Sequence, residues 1–226
     1  MSGVRTYDPG VTSSPAETAV AALLDGAGSL NELALRATLR SHADDHGVDA
    51  TVVDVVLPFL HEIGAAWERG THTVAQEHFA SQVIRGWLIG EALSGAAEHG
   101  PGISPVVLAC PPGERHDLGL LCFHVLITRA GVPSRFLGSD TPLPGLGDVC
   151  RVVAASGVVV AATRSRVFEA HGGALRMLAS HYPLAIGGAG ADPEVAERVR
   201  ATPLSSDMRE SVANLVGWYA RVTAAA

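Results

Sequence analysis

Aromatic residues, charged residues and cysteines are all scarce in this sequence. Of its 226 residues, 5% are aromatic, 17% are charged and 47% are hydrophobic, which is typical of a folded chain rather than a disordered one. The three cysteines, Cys110, Cys122 and Cys150, lie far apart and have no CxxC spacing. This pattern argues against a disulfide framework or a cysteine-rich zinc site, and it predicts buried free thiols in a reducing cytoplasm.

We also expect neither a targeting segment nor a membrane-spanning run from the sequence. Residues 1–10 lack a basic stretch followed by an apolar one, so we expect no signal peptide. No stretch of 18 apolar residues is free of glycine, proline and charge, so we expect no membrane span. The net charge of -7 repels nucleic-acid phosphates and no lysine and arginine cluster offsets it, which argues against direct DNA or RNA binding.

The first hundred residues have the periodicity of helices. Ser14-Pro15-Ala16-Glu17 and Ser29-Leu30-Asn31-Glu32 have the form of capping sequences and predict the starts of two helices. We expect Pro58 to kink a third helix or to mark an irregular turn in it. Thr71 or Thr73 caps a fourth helix. Four helices joined by short loops form a bundle.

Strand and helix patterns alternate in the second half of the chain. Buried-strand runs are predicted near 105–110, 131–138, 157–162 and 184–188, and one of the helices between them spans about 167–181. This alternation is typical of a doubly wound parallel sheet. We therefore predict an α/β protein, with an N-terminal four-helix bundle at residues 14–100 and a doubly wound, flavodoxin-like parallel-sheet domain at residues 104–226. The glycine- and proline-rich segment 98–105 is the predicted linker.

The loop after the first predicted strand carries the main candidate site, because ligands of open α/β sheets bind beyond the carboxyl ends of the strands. Residues two apart in an extended loop point the same way, so Glu114 can contact His116, fix its tautomer and strengthen it as a metal ligand. Asp117 can alternatively cap the following helix, and Gly119 lets a bulky planar group approach the backbone. Taken alone, a loop histidine is more often a surface or capping residue.

The segment Glu114-Arg115-His116-Asp117-Leu118-Gly119 resembles the cobalamin-binding motif Asp-x-His-x-x-Gly, with glutamate in place of the aspartate. In that family the histidine is the lower ligand of the cobalt, so the resemblance implies that His116 binds the cobalt of cobalamin. Gly187-Gly188 matches the Gly-Gly turn of the family and Thr163 matches its Ser/Thr strand end only in part; both elements lie along the nucleotide tail. The residues that the resemblance places at the cofactor in this half are Glu114, Arg115, His116, Asp117, Gly119, Thr163, Gly187 and Gly188.

A second motif lies in the helical half, where Trp67 is followed ten positions later by Glu77-His78. Trp-x9-Glu-His is similar to the signature of the CarH-type and LitR-type B12 photoreceptors. The resemblance implies that Trp67, Glu77 and His78 line the upper face of the corrin, where an adenosyl group sits, and that the bundle caps this face. It further implies a B12-dependent light sensor that uses adenosylcobalamin and changes conformation or assembly on photolysis. Without the resemblance, Trp67 would be a core residue and Glu77 and His78 solvated helix residues.

The sequence departs from the photoreceptor pattern in two places. That family usually carries an N-terminal DNA-binding domain, whereas only Met1–Ser13 precedes the first predicted helix. Glu68 stands where CarH-type proteins have a second histidine that ligates cobalt after illumination, and the reach of nearby His72 is open. We therefore expect the signal to pass through a homo-oligomer such as a dimer, or through a regulatory protein partner.

Other B12-binding classes have the same layout. Photocobilins hold a bilin beside the cobalamin, and here a bilin such as biliverdin would bind non-covalently near Trp67, Phe79 or Trp87, because no cysteine is obviously placed for a thioether bond. Corrinoid proteins of methyltransferase systems also place a helical bundle ahead of a B12 domain, and a plain cobalamin-binding or chaperone module is a third alternative. Trp-x9-Glu-His, and Glu114 in place of aspartate, favour a sensor over a methyl carrier, and a binding protein over an enzyme.

Overall fold

The structure divides into two compact units. The computed structural model describes residues 13–96 and 104–224, and the division falls between Val83 and Ile84, inside a long helix. Most of the predicted linker at 98–105 lies outside the described residues, as does the segment 1–12. The domain bounds of 14–100 and 104–226 therefore remain a prediction.

The helical half contains consecutive helices joined by short turns. Its elements are α1 (Pro15–Gly28), α2 (Glu32–His46), α3 (Val48–Ala50), a π-helical segment (Thr51–Val56), α4 (Leu57–Glu68) and α5 (Val74–Ala96). Because α3, the π segment and α4 follow one another without a turn, residues 13–96 contain the four long helices that the periodicity predicts. In the first unit, α1 packs against α2, the π segment and α4. Fully buried side chains of these elements include Leu23, Leu35, Val52 and Phe59.

One of the two predicted helix caps is confirmed and the other is wrong. The Ser14 hydroxyl accepts from the amide of Glu17, whose carboxylate accepts from the Ser14 amide at 2.7 Å. At the second helix, Asn31 rather than Ser29 is the cap, and its Oδ1 accepts an amide of the first turn of α2 at 3.0 Å. Ser29 is already occupied, since its hydroxyl donates to carbonyls in the last turn of α1.

Pro58 makes the third helix irregular, as predicted. Proline has no N–H, and in an α-helix its ring clashes with the carbonyl four residues earlier. A π-helical segment lies just before the proline. There the Leu57 amide donates to the carbonyl of Val52, five residues earlier, instead of to the carbonyl four residues earlier. The helix therefore continues past the proline instead of ending there.

The helical stretch Val48–Glu68 is long and apolar enough to cross a membrane, with 21 residues and a mean hydropathy of 1.3. Length and composition alone give this result, and the core helix of a folded domain satisfies the same test. Here Val52, Val56, Phe59 and Ile63 are at most 1% exposed within the first unit. This burial is the pattern of a core helix.

The second half forms one parallel sheet with helices between its strands, which confirms the predicted α/β class. The strands are β1 (Val106–Ala109), β2 (Ser134–Gly138), β3 (Gly157–Ala161), β4 (Leu184–Gly187) and the short β5 (Thr202–Pro203). Their order is β2-β1-β3-β4-β5, and every neighbouring pair is parallel. This is the flavodoxin-like order.

Helices cover both faces of the sheet, as doubly wound folds require. They are α6 (Leu118–Arg129), α7 (Leu143–Val152), α8 (Ser165–Ala170), α9 (Gly172–Ala179), α10 (Pro193–Val199) and α11 (Met208–Ala224). Alternate strand residues point to opposite faces. Val107 and Val158 thus pack in the core under α7 to α10, whereas Val106 and Val159 pack in the core under α6 and α11.

The single helix predicted near 167–181 is wrong, because α8 and α9 meet at His171. The backbone of His171 leaves the helical region there, and it is followed by Gly172-Gly173, which disfavour a continuous helix. The His171 ring donates a hydrogen bond from Nε2 to the Pro112 carbonyl at 2.9 Å. A contact distant in sequence thus accompanies the break.

Candidate functional site

The candidate site lies where the strand order reverses. β1 pairs with β2 on one side and with β3 on the other, so the connections that leave β1 and β3 run in opposite directions. In folds of this kind, such a switch point opens a crevice at the carboxyl edge of the sheet that binds ligands. The loop 110–117 after β1 and the segment 162–164 after β3 both lie at this edge.

Glu114 and His116 form the predicted pair. Oε1 of Glu114 lies 2.7 Å from Nδ1 of His116 and also accepts the His116 amide at 2.8 Å. The Glu114 side chain is 3% exposed, whereas that of His116 is 73% exposed. The loop therefore buries the carboxylate and presents the imidazole.

Thr163, at the end of β3, secures the other oxygen of the same carboxylate. Its amide and its hydroxyl both donate to Oε2 of Glu114 at 2.7 Å. Burial raises the pKa of Glu114, but the hydrogen bonds from Thr163 and His116 outweigh it and lower the pKa to about 2. Glu114 is therefore ionised at neutral pH. A role for Thr163 along a nucleotide tail remains a prediction.

The ionised state of Glu114 decides the tautomer of His116. An ionised carboxylate only accepts hydrogen bonds, so Nδ1 of the neutral ring carries the proton and Nε2 keeps its lone pair. Among residues 13–96 and 104–224, no group of three or more His, Cys, Asp and Glu side chains could hold a metal ion. A single exposed imidazole nitrogen fits a metal that a macrocycle already holds. The ligation of a corrin cobalt by His116 remains a prediction.

Two groups from elsewhere in the second unit fix the backbone of the loop. Asp140, just after β2, accepts the Gly113 amide at 2.8 Å through Oδ1 and donates its own amide to the Glu114 carbonyl at 3.0 Å. His171 donates to the carbonyl of Pro112. These bonds restrain the loop before it reaches His116.

Asp117 does not cap α6 through its side chain, which corrects that alternative reading of the residue. It occupies the cap position, but its carboxylate makes no bond to the first turn. Instead the two terminal nitrogens of Arg85 donate to Oδ1 at 2.5 Å and to Oδ2 at 3.2 Å, and the Ser139 amide donates to Oδ2 at 3.2 Å. The residue after His116 is thus tied to α5 and to the end of β2.

The glycines of the motif have different surroundings. A Cβ added to Gly119 meets nothing within 4 Å, so the first turn of α6 is open there. Gly188 has a φ of +85°, and an added Cβ would lie 2.6 Å from the Ala162 carbonyl oxygen. At Gly190 it would lie 2.4 Å from the Arg164 carbonyl carbon. The turn after β4 therefore packs directly on the segment after β3, and backbone contact explains Gly188 and Gly190 without a ligand.

The predicted upper-face residues lie at the junction of two consecutive helices. Trp67 is near the end of α4 and is 49% exposed, while Glu77 and His78 are in the first turns of α5. Glu77 accepts the hydroxyl of Ser81 at 2.7 Å, and the His78 side chain is 72% exposed. Thr73 rather than Thr71 caps α5, since its hydroxyl accepts the Gln76 amide at 3.2 Å. The contact of Trp67, Glu77 and His78 with a cofactor remains a prediction.

The other residues of interest near these motifs have simpler settings. Glu68 ends α4. His72 donates from Nε2 to the Leu24 carbonyl at 3.1 Å, so its ring is engaged with the last turns of α1. Arg115 is exposed between Glu114 and His116. The predicted free thiols are confirmed, because all three cysteines are buried and unpaired.

Several residues of the site were missed by the sequence analysis. Asp140 and Ser139 follow β2, and their position at the carboxyl end of a strand could have marked them. Arg85 reaches Asp117 across 32 positions, and His171 reaches Pro112 across 59. Nothing in the local pattern around either residue signals such a contact.

Comparison with known proteins points to cobalamin. Residues 17–89 match the model of a protein family described as a B12 binding domain. Two proteins of Myxococcus xanthus are similar to the chain, the HTH-type transcriptional repressors CarH and CarA. CarH is 40% identical over 97 residues, 42% of this chain and 30% of CarH. CarA is 36% identical over 154 residues, 62% of this chain and 50% of CarA. The chain thus spans at most half the length of these relatives.

Among solved structures, the monomethylamine corrinoid protein of Methanosarcina barkeri has a similar fold. The TM-score is 0.69, and the match covers 87% of this chain and 96% of that protein at 11% identity. At this identity the likeness shows the shared fold alone. The family match thus supports cobalamin binding. The solved structure supports only the fold, a helical region followed by a parallel α/β sheet.

Proposed function

We propose that this chain binds cobalamin through His116 and acts as a B12-dependent light sensor. The observation that carries the proposal is the relay Thr163–Glu114–His116, which fixes one tautomer and leaves Nε2 exposed at the switch point of the sheet. The match of residues 17–89 to a B12 binding domain supports the cofactor. The similarity to the repressors CarH and CarA supports sensing rather than methyl transfer.

On the lower side of the cofactor, the residues of the second unit hold and orient the ligand. The Glu114 carboxylate accepts a hydrogen bond from the Nδ1–H of His116, so the unprotonated Nε2 is available for the cobalt. Arg115, Asp117 and Gly119 border His116 in the motif, and the open surface at Gly119 leaves room for a broad planar group. We assign Thr163 and Gly187-Gly188 to the same cofactor side, as the motif implies.

On the upper side, we assign Trp67, Glu77 and His78 to the face of the corrin opposite His116. The indole of Trp67 is 49% exposed, and contact with a ligand would remove that surface from water. When bound, adenosylcobalamin supplies visible absorption and a cobalt–carbon bond that light can break. Loss of the upper group would then change the surroundings of Trp67 and, through this residue, the conformation of the helical unit.

We expect the response to light to differ from that of CarH-type proteins, which have a second histidine directly after the tryptophan. Position 68 is a glutamate, and His72 is bonded to the Leu24 carbonyl. The net charge of -7 disfavours direct contact with nucleic acid. We therefore propose that the signal passes through a change of assembly, such as a dimer, or through a regulatory protein partner.

A second chromophore belongs to the same proposal. Phe79 and Trp87 are only partly buried on α5 and offer aromatic surface to a bilin such as biliverdin. Burial raises the pKa of Cys110 and of Cys122 to about 12 and that of Cys150 to about 11, which disfavours a thioether bond. A bilin would accordingly be held without a covalent bond.

The decisive experiment compares absorption spectra of the purified chain with adenosylcobalamin in darkness and after illumination. We expect the wild type to bind in a histidine-ligated form, and His116→Ala to give a base-on or water-ligated spectrum. His181→Ala is the matched control, since His181 is an exposed histidine bonded only within its own turn. A His116→Ala spectrum identical to that of the wild type would remove the lower-ligand assignment.

Illumination separates the sensor from its competitor. A sensor changes its spectrum and its oligomeric state, which size-exclusion chromatography with light scattering measures in the dark and after light. If spectrum and assembly stay unchanged, the sensing proposal is wrong. Methyl transfer from methylcobalamin to an acceptor thiol would instead favour a corrinoid protein of a methyltransferase system.

A further inference from the structure

The ion pair between Arg85 and Asp117 lies directly beside the proposed cobalt ligand. The Asp117 side chain is 5% exposed and that of Arg85 is 28% exposed. A carboxylate buried to this degree is stable only if charge and hydrogen bonds compensate the loss of water. Three N–H donors do so here, two from the Arg85 guanidinium and one from the Ser139 amide.

Asp117 controls the second half of the loop. It follows His116 directly, and its carbonyl accepts the Leu121 amide at 2.8 Å, so its backbone opens α6. The close fit extends to Gly138, where a Cβ would lie 3.3 Å from Oδ2 of Asp117. A shift of the Asp117 carboxylate would therefore move the neighbouring backbone of His116 and, with it, the imidazole.

His116 is thus flanked by two anchored carboxylates. Glu114 fixes the ring from the side of β3, through Thr163, and Asp117 fixes the backbone from the side of α5 and β2, through Arg85. Without Arg85, Asp117 would keep one amide donor and would be an uncompensated buried charge, which is strongly unfavourable. The loop would then adopt other conformations in which Nε2 is not held in place.

We propose that Arg85 is a positioning residue that holds His116 for cobalt coordination through its bidentate contact with Asp117. This inference rests on the proposed function. Partners that orient a metal ligand have measurable effects on affinity although they do not touch the metal. A planar guanidinium is required because an ammonium group cannot make the two parallel bonds at once.

The test compares Arg85→Gln, Arg85→Lys and the control Arg198→Gln in the full chain. Arg198 forms an ion pair of 2.8 Å with Glu169, but both side chains are about half exposed, so its loss should matter little. Each variant is titrated with adenosylcobalamin in darkness. We expect the affinity of Arg85→Gln to fall by a factor of about ten or more. We also expect its bound spectrum to lose part of the histidine-ligated form, with Arg85→Lys in between.

A second readout needs no cofactor. Amide hydrogen exchange follows His116 and Ser139, whose N–H groups donate to Glu114 and Asp117. We expect both amides to exchange about ten times faster in Arg85→Gln than in the wild type, and at the wild-type rate in Arg198→Gln. Circular dichroism verifies folding, and Arg85→Lys carries the test if Arg85→Gln does not fold.

The outcomes separate the two proposals. If the wild type binds no cobalamin, or binds it without histidine ligation, the proposed function is wrong. If the wild type is histidine-ligated and both Arg85 variants match it in affinity, bound spectrum and exchange, the positioning role of Arg85 alone is wrong. A purely structural residue would lower the folded fraction but leave the spectrum of the bound protein unchanged, which would also overturn the inference.

Discussion

Replacement of Glu114 by glutamine tests the relay at its centre. The glutamate offers two oxygens, and each accepts two donors, from Thr163 and from His116. The amide of glutamine keeps one oxygen and presents an NH2 group to the other pair of donors. The two donors that face the NH2 group therefore lose their acceptor, whichever way the amide turns.

The magnitude follows from the number of bonds lost. A hydrogen bond to a charged group contributes about 1.5–3 kcal/mol, and two such bonds are lost. Relief from burying the charge at a side chain that is 3% exposed offsets part of this loss. We expect Glu114→Gln to lower the unfolding free energy of the second unit by about 2–4 kcal/mol.

The assay reads the second unit alone. Trp218 packs on Gly157 in the sheet, so its fluorescence reports urea unfolding once Trp67 and Trp87 are replaced by phenylalanine. Glu169→Gln, which removes an exposed ion pair, is the control and should change stability by less than about 1 kcal/mol. Nitrogen-15 NMR of the His116 ring is a second assay. It should show a single tautomer with Nε2 unprotonated in the wild type and a mixture of tautomers in Glu114→Gln. If the variant has the stability and the tautomer of the wild type, the proposed Thr163–Glu114–His116 relay is wrong.

Two further predictions concern the sheet around the site. Gly190→Ala should destabilise the second unit by about 1–3 kcal/mol, because the new Cβ would overlap the Arg164 backbone, whereas Gly173→Ala has open space and should be neutral or stabilising. Burial, and to a lesser degree Arg135, lowers the pKa of His124 to about 4. As the pH falls below 6.5, the unfolded chain binds a proton at His124, whereas the folded chain binds it only near pH 4. The unfolding free energy should therefore decrease by up to about 3 kcal/mol as the pH is lowered from 6.5 to 4. In His124→Gln this part of the pH dependence should vanish, while His181→Gln should keep it; urea titrations at pH 7, 5.5 and 4 decide between these outcomes.

The parts of the fold that follow from local patterns could be predicted from the sequence. Alternating strand and helix signals located the sheet, and Pro58 predicted an irregular helix. The pairing of Glu114 with His116 was also predictable, since it depends only on residues two apart in an extended loop. Where two residues competed for the same local role, the pattern could not decide. Ser29 and Asn31 are both good caps, and Asn31 prevails because the end of α1 already engages the Ser29 hydroxyl.

The parts that depend on tertiary contacts could not be predicted. Asp117 directly precedes a helix, so the sequence predicts that it caps this helix. In the structure its carboxylate instead accepts hydrogen bonds from Arg85 and from the residue after β2. The hydrogen bonds from Thr163 to Glu114 join residues 49 positions apart, and no local pattern signals them. In both cases the partner comes from another element that the fold brings to the same edge of the sheet.

The distribution of charge around His116 argues for a ligand rather than a surface residue. A solvated loop histidine needs no buried neighbours, whereas here the side chains of Glu114 and Asp117, 3% and 5% exposed, lie on either side of an exposed ring. Removing two carboxylates from water costs several kcal/mol each unless dedicated donors compensate, and here four donors converge on one and three on the other. Together they fix one tautomer of the ring and the backbone that carries it. A fixed tautomer and a fixed backbone both favour a ligand that binds Nε2 from the solvent side. A histidine that contacts only water needs neither of them.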